Sequence, residues 1–196
     1  SFTNTQLAVI STDGLQGLST ATLKNLTATQ VAALTTAQLR ALSDGQTATL
    51  EADDLYALSS AQTAALTTNQ IAKLNTTAVA SLKTQFLTTD QIVALTTAEA
   101  AQLTAAQINA LSTDQVVKFE TADIAALSNG IVSSLGTRAI SALTDAQVTA
   151  LTSSQVSVLT TSQLNALTNI NKIDPADLAV VSATNFNKLT SAQLAN

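Results

Sequence analysis

The side chains of this sequence able to do acid–base or metal chemistry are carboxylates. Two groups stand close together in the chain, Glu51 with Asp53 and Asp54, and Glu120 with Asp123. Acidic oxygens at such spacing suit a hard cation, and calcium is the candidate. The same residues also have a purely local role. Glu51 and Glu120 stand where a helix would be capped, and Asp54 and Asp123 stand three residues on, where negative charge favours a helix N-terminus. That local role is preferred, so neither group is assigned as a metal site. The chain has no His and no Cys. Their absence removes imidazole catalysis, the usual nucleophilic triads, most transition-metal sites and disulfides. The five glycines are spread singly, with no phosphate-binding loop. The expectation is therefore no catalytic, cofactor-binding or metal residue, and no enzyme.

What surrounds these residues is one eight-residue phrase, Leu34-Thr35-Thr36-Ala37-Gln38-Leu39-Arg40-Ala41, repeated with variations. A large apolar anchor opens each octad. The first run of anchors goes from Phe2, Ile10 and Leu18 to Leu82, the second from Leu87 to Leu167, and the third is Ile173, Val181 and Leu189. The register slips near residues 83–86 and 168–172. Such constancy marks an internal repeat.

Each octad carries its own helix start. In Leu66–Lys73, Thr67 and Gln70 have the spacing of a capping box, and Leu66 and Ile71 that of a hydrophobic staple. The same pattern opens at Leu26, Leu34, Leu58 (weakened by Thr63), Leu87, Leu103, Leu111, Leu143, Leu151, Leu159 and Leu189, the last with Leu194 as inner partner. Ile173–Leu178 departs from consensus and still fits: Asp174 is a strong N-cap, and Pro175, the single proline, falls on the first helical position. A continuous helix or coiled coil fits poorly, because an eight-residue period rotates an apolar stripe by roughly 80° per repeat. A β-solenoid fits the short period and the Thr content, but not the Ala and Gln content or the lack of alternation. The fold expected is all-α: an α-solenoid of very short capped helices, one per octad, each of about six or seven residues, too short to persist alone.

Residues 1–196 are read as a single octapeptide-repeat solenoid, and as part of a longer array. The slips are either resets of the coil or boundaries between modules; uniform composition favours resets. Asp13-Gly14, Asp44-Gly45 and Asn129-Gly130 read as turn signals that mark irregular octads. Apolar residues make up 46% and aromatic ones 3%, so the core is aliphatic; charged residues are only 11%, so Thr, Ser, Gln and Asn must supply surface polarity. A net charge of −5 with Lys24, Arg40, Lys73, Lys83, Lys118, Arg138, Lys172 and Lys188 scattered argues against nucleic acid. No apolar stretch is long enough to span a membrane.

The Leu-Thr-Thr-Ala-Gln-Leu-x-Ala phrase resembles repeat regions of very large secreted or surface proteins of proteobacteria, often described as adhesin-like. The resemblance covers nearly the whole chain and carries no site residues. It implies an extracellular or cell-surface location and a structural, spacer or adhesive role. The calcium-binding nonapeptide repeats found in many such proteins are absent here. The leading expectation is a structural building block of a surface fibre, filament or layer. Its partners would be further copies of itself or neighbouring repeats. The alternative is a protein-binding module that uses the variable positions Lys24, Arg40, Tyr56, Val93, Asn109 and Val117. Ice binding by Thr arrays is a third option, weakened because most Thr serve as caps.

Overall fold

The computed structural model describes residues 2–190 and 193. Among them all regular structure is helical, in pieces that restart nearly every octad, and the fold is an α-solenoid of short capped helices. The α-helices have four to six residues, so the longest meet the expected length and the others are shorter. Thr36–Ala41 has six residues and Asp44–Thr47 has four. The reason lies in the junction. The anchor Leu42 (φ −58°, ψ 133°) and the following cap Ser43 (φ −68°, ψ 165°) both leave helical geometry, so an octad keeps six helical residues at most. Two extended residues turn the chain into the next helix, and no described residue has a positive φ.

The starts follow the local signals. The Thr35 hydroxyl accepts the Gln38 N–H at 3.2 Å, and the Thr35 N–H donates to the Gln38 side-chain oxygen at 2.7 Å. Thr27, Ser59, Thr67, Thr88, Thr104, Ser112, Thr144, Thr152 and Thr160 close the same box. Thr190 pairs with Gln193 likewise; Leu194 lies outside the described residues. Asp174 accepts the Ala176 N–H at 2.8 Å and Pro175 opens the Pro175–Leu178 helix. The Asx-Gly pairs are not turns. Asp13-Gly14, Asp44-Gly45 and Asn129-Gly130 all lie in the first turns of helices. A hydroxyl N-cap one or two residues before each pair (Ser11, Ser43 and Ser128) outweighs the Gly, and the helix N-terminus welcomes the acid in the first two.

The chain divides into two compact units, one up to Gln102 and the other from Leu103. Within each, helices stack on those three elements later, so about three octads make one turn of the coil. In the first unit Thr12–Gln16, Thr36–Ala41 and Ser60–Ala65 form one such stack. In the second, Thr113–Val116, Thr137–Ser141, Thr161–Ala166 and Ala183–Phe186 do the same. Anchors such as Leu34, Leu58 and Leu159 and inner residues such as Leu39, Ile71 and Val156 are buried. Each contributes about 1.5–3 kcal/mol against the entropy of ordering. Thr63 takes an inner place without loss of polarity: it is fully buried and its hydroxyl donates to the Ser59 carbonyl.

Each slip lies inside a unit and is taken up by a 3₁₀ segment, Thr84–Phe86 in the first and Ile170–Lys172 in the second. The longer rise per residue of a 3₁₀ turn lets fewer residues cover one side of the coil. No helix of the described residues is long and apolar enough to cross a membrane.

Candidate functional site

A helix leaves its last carbonyls without partners, and many helices answer with a glycine in the left-handed conformation. This chain has no such residue among those described. Its helix ends are satisfied from the next turn of the coil. The box glutamine supplies the donors. Gln38 holds its own cap through the side-chain oxygen, while its amide nitrogen donates to the Leu7 and Ile10 carbonyls, both at 2.7 Å. Gln70 donates to Leu39 and Leu42 at 2.7 and 3.1 Å. In the second unit, Gln155 reaches Ile124 and Leu127, both at 2.8 Å, and Gln163 reaches Val132 and Leu135 at the same distance. These four amides are 1–3% exposed. One side chain therefore closes an orphan donor at its own helix start and supplies donors to two carbonyls at an earlier helix end, the second of which, the anchor's, is otherwise an orphan. Sequence reasoning found the first half of this role and missed the second.

The glutamine link between turns survives the slips. Its usual reach is 31 and 28 residues back, as in Gln38. Gln91, just after the first slip, reaches Thr63 and Leu66 over 28 and 25. Leu87 follows Leu82 by five residues instead of eight, so three residues vanish from both spans. Gln193, after the second slip, reaches Leu164 and Leu167 over 29 and 26, two residues short, as the six-residue step from Leu167 to Ile173 requires.

Where the box lacks Gln, other groups act. The Thr137–Ser141 helix has Gly136 as N-cap and Ala139 at the box position. Asn109, from the preceding turn, accepts the Gly136 N–H at 2.7 Å and donates to the Ser134 carbonyl at 3.1 Å. Arg138 donates back to the Asn109 carbonyl. Asn109 had been placed among the outward binding positions; the structure gives it this corner instead.

The acidic groups occupy cap and box positions. The Glu51 N–H donates to Asp54 at 2.9 Å, and the Glu120 N–H donates to Asp123 at 3.1 Å. Burial, first, pushes the Asp54 carboxyl above its ordinary value of 3.8; the Glu51 backbone bond opposes this, and the charges of Glu51 and Asp53 add to it. Glu51 pairs with Lys24 at 3.5 Å on the surface. Among the described residues no three acidic side chains gather as metal ligands would. Of the other variable positions, Tyr56 is 68% exposed with the Lys83 ammonium 5.2 Å above its ring, and Arg40 is exposed. Val93 and Val117 are exposed at 45% and 38%.

The octad is also what known proteins share with this chain. A family model described as the ALTTAQ repeat matches residues 2–44, 47–84 and 116–153, together more than half of the sequence. No curated protein matches it.

Proposed function

The chain belongs to the ALTTAQ repeat family, and from that premise we propose that it is a non-catalytic structural protein, a building block of a fibre, filament or layer on a bacterial cell surface. The observation that carries this reading is where the polar chemistry goes. The buried amides of Gln38, Gln70, Gln155 and Gln163 are spent on backbone carbonyls between turns. Buried polar groups that could have formed a reactive pocket serve the coil instead. The exposed positions are largely Thr, Ser, Asn and Ala, with few charges. Such a surface suits a passive spacer, and the resemblance of the octad to repeat regions of large secreted proteins supports export. Native electron microscopy over a range of concentrations tests the reading. Fibres or layers that grow with concentration are the expected result; a monodisperse compact particle at every concentration would count decisively against it.

A second reading, a protein-binding module, draws on the exposed Tyr56 ring and the exposed Arg40. Exposed aromatic and Arg side chains are the residues that anchor interfaces. A stoichiometric partner recovered by pull-down, and lost on changing both Tyr56 and Arg40 to Ala, would favour it.

A further inference from the structure

Two triplets of the chain, Asn25-Leu26-Thr27 and Asn75-Thr76-Thr77, have the Asn-x-Thr pattern that accepts asparagine-linked sugars. The fold treats them differently. In the first, Thr27 caps the Ala28–Ala32 helix. Its N–H donates to the Gln30 side-chain oxygen at 2.8 Å, and its hydroxyl accepts the Gln30 N–H at 3.3 Å. Gln30 thus holds both groups that a triplet Thr could turn to its Asn, and the intervening anchor Leu26 is half-buried.

The second triplet lies where the octad departs from its phrase. Asn75 stands in the cap position, which is Ser or Thr in most octads, and Ala78 replaces the box glutamine. No α-helix starts there, and a 3₁₀ segment, Val79–Ser81, takes its place. With no glutamine to hold it, Thr77 turns to Asn75. Its N–H and its hydroxyl both donate to the Asn75 side-chain oxygen, at 3.0 and 2.8 Å. Asn75, Thr76 and Thr77 are all exposed. Because Oδ1 accepts both bonds, Nδ2 is the free end of the amide, and it has no acceptor among the described residues.

This arrangement bears on reactivity. An amide nitrogen is a poor nucleophile, because resonance draws its lone pair into the carbonyl. Two donors fixed on Oδ1 stabilise the negative charge that this oxygen gathers as Nδ2 loses a proton. We propose that Asn75 is a site of asparagine-linked glycosylation and that the fold withholds Asn25 from the same reaction. The donor is a sugar activated as a phosphate or diphosphate ester, and a separate glycosyltransferase supplies the base. Nδ2 gives one proton to that base and attacks the anomeric carbon. The bond from nitrogen to that carbon forms, the bond from the carbon to the phosphate oxygen breaks, and the phosphate group leaves with the electron pair. The attached sugar adds bulk and hydration to a chain in which only 11% of residues are charged.

Trypsin places the two triplets on separate peptides, Leu74–Lys83 and Asn25–Arg40. Mass spectrometry of the chain purified from its native cells, with fragmentation that keeps sugars attached, should find a sugar on Leu74–Lys83 at Asn75 and none on Asn25–Arg40. Asn75→Gln and Thr77→Val should each leave that segment bare, whereas Thr77→Ser should keep the sugar; circular dichroism establishes that the variants are folded. The part played by the fold is read in vitro, with a soluble asparagine glycosyltransferase and a nucleoside-diphosphate hexose acting on the folded chain or on free peptides covering each triplet. Folding should slow transfer to Asn25 by about tenfold or more relative to its peptide, because a capped helix must first open locally, and should leave Asn75 within about twofold of its own peptide. A bare Leu74–Lys83 from native cells, a sugar on Thr76 or Thr77 instead, or equal modification of Asn25 and Asn75 would each overturn the proposal. None of these readouts depends on assembly, so fibres formed by an unmodified chain would remove this site and leave the structural role standing.

Discussion

The corner held by Gln70 and the corner held by Asn109 solve the same problem from opposite sides. At the first, a side chain from the later turn reaches back 31 and 28 residues to the Leu39 and Leu42 carbonyls and also holds its own cap. At the second, the later turn offers only Gly136 and Ala139, and a side chain from the earlier turn reaches forward 25 residues to the Ser134 carbonyl and 27 to the Gly136 N–H. Both arrangements place an amide, acceptor and donor together, between a helix start and a helix end. What the coil requires is thus the satisfied backbone corner, and the Thr-x-x-Gln motif is one way to meet it. A buried donor or acceptor left alone costs about 1–3 kcal/mol, more than a formed hydrogen bond contributes. That asymmetry explains why the amide persists while its place in the sequence moves.

The comparison can be broken most forcefully at Gln70. Replacing it with Ala strands its cap N–H and the buried Leu42 carbonyl together, and leaves the Leu39 carbonyl with only the Leu42 N–H. The expected loss is about 3 kcal/mol or more in a urea titration. A loss below about 1 kcal/mol would mean that water replaces the amide freely. Asn109→Ala should cost less, about 1–2 kcal/mol, because that corner is exposed and water can reach its groups. The two solutions should also be interchangeable. Ala139→Gln, silent or unfavourable alone, should restore part of the stability lost in Asn109→Ala, giving a favourable coupling in a double-mutant cycle. Strict additivity of the two changes would show that the corners are not equivalent.

The acidic box of Asp54 sharpens the same contrast through pH. A carboxylate can hold the cap N–H but has no N–H to give to a corner. Its folded pKa is raised above the ordinary 3.8, chiefly by burial. The folded chain therefore binds this proton more tightly than the unfolded chain, and the associated stability is present at low pH and fades as pH rises through the raised value. Asp54→Asn should thus gain more, relative to the parent, at neutral pH than in acid; an equal difference at both would remove Asp54 as the cause. The smallest effect belongs to Asp145, an exposed carboxyl held below 3.8 first by the Asn169 hydrogen bond and then by Lys172. Its contribution is present above 3.8 and is lost as pH falls through the lowered value, and Asn169→Ala should reduce that acid sensitivity slightly.

Much of the helix framework was legible because its causes are local. Thr67 meets Gln70 three residues away whatever the rest of the chain does, and Pro175 marks a helix start through its own ring. The Asx-Gly pairs misled as turn signals because the same dipeptides suit a first helical turn, and only the N-cap Ser residues one or two positions before them decide between the two. No helix exceeds six residues because the anchor leaves helical geometry, a role its hydrophobicity conceals.

The amino-acid order alone determined where most helices begin, which residue opens each octad, where the register slips, and that His and Cys chemistry is absent. Those are consequences of side-chain type and of bonds spanning three residues. The packing of the chain decided that about three octads complete a turn, that the glutamine amides close helix ends 25–31 residues back, and that Asn109 substitutes for one of them. The physical reason is that the partner of each amide depends on the accumulated bend of several successive junctions. Each junction is set by two extended residues, and small differences in their angles add up before the chain returns to meet itself.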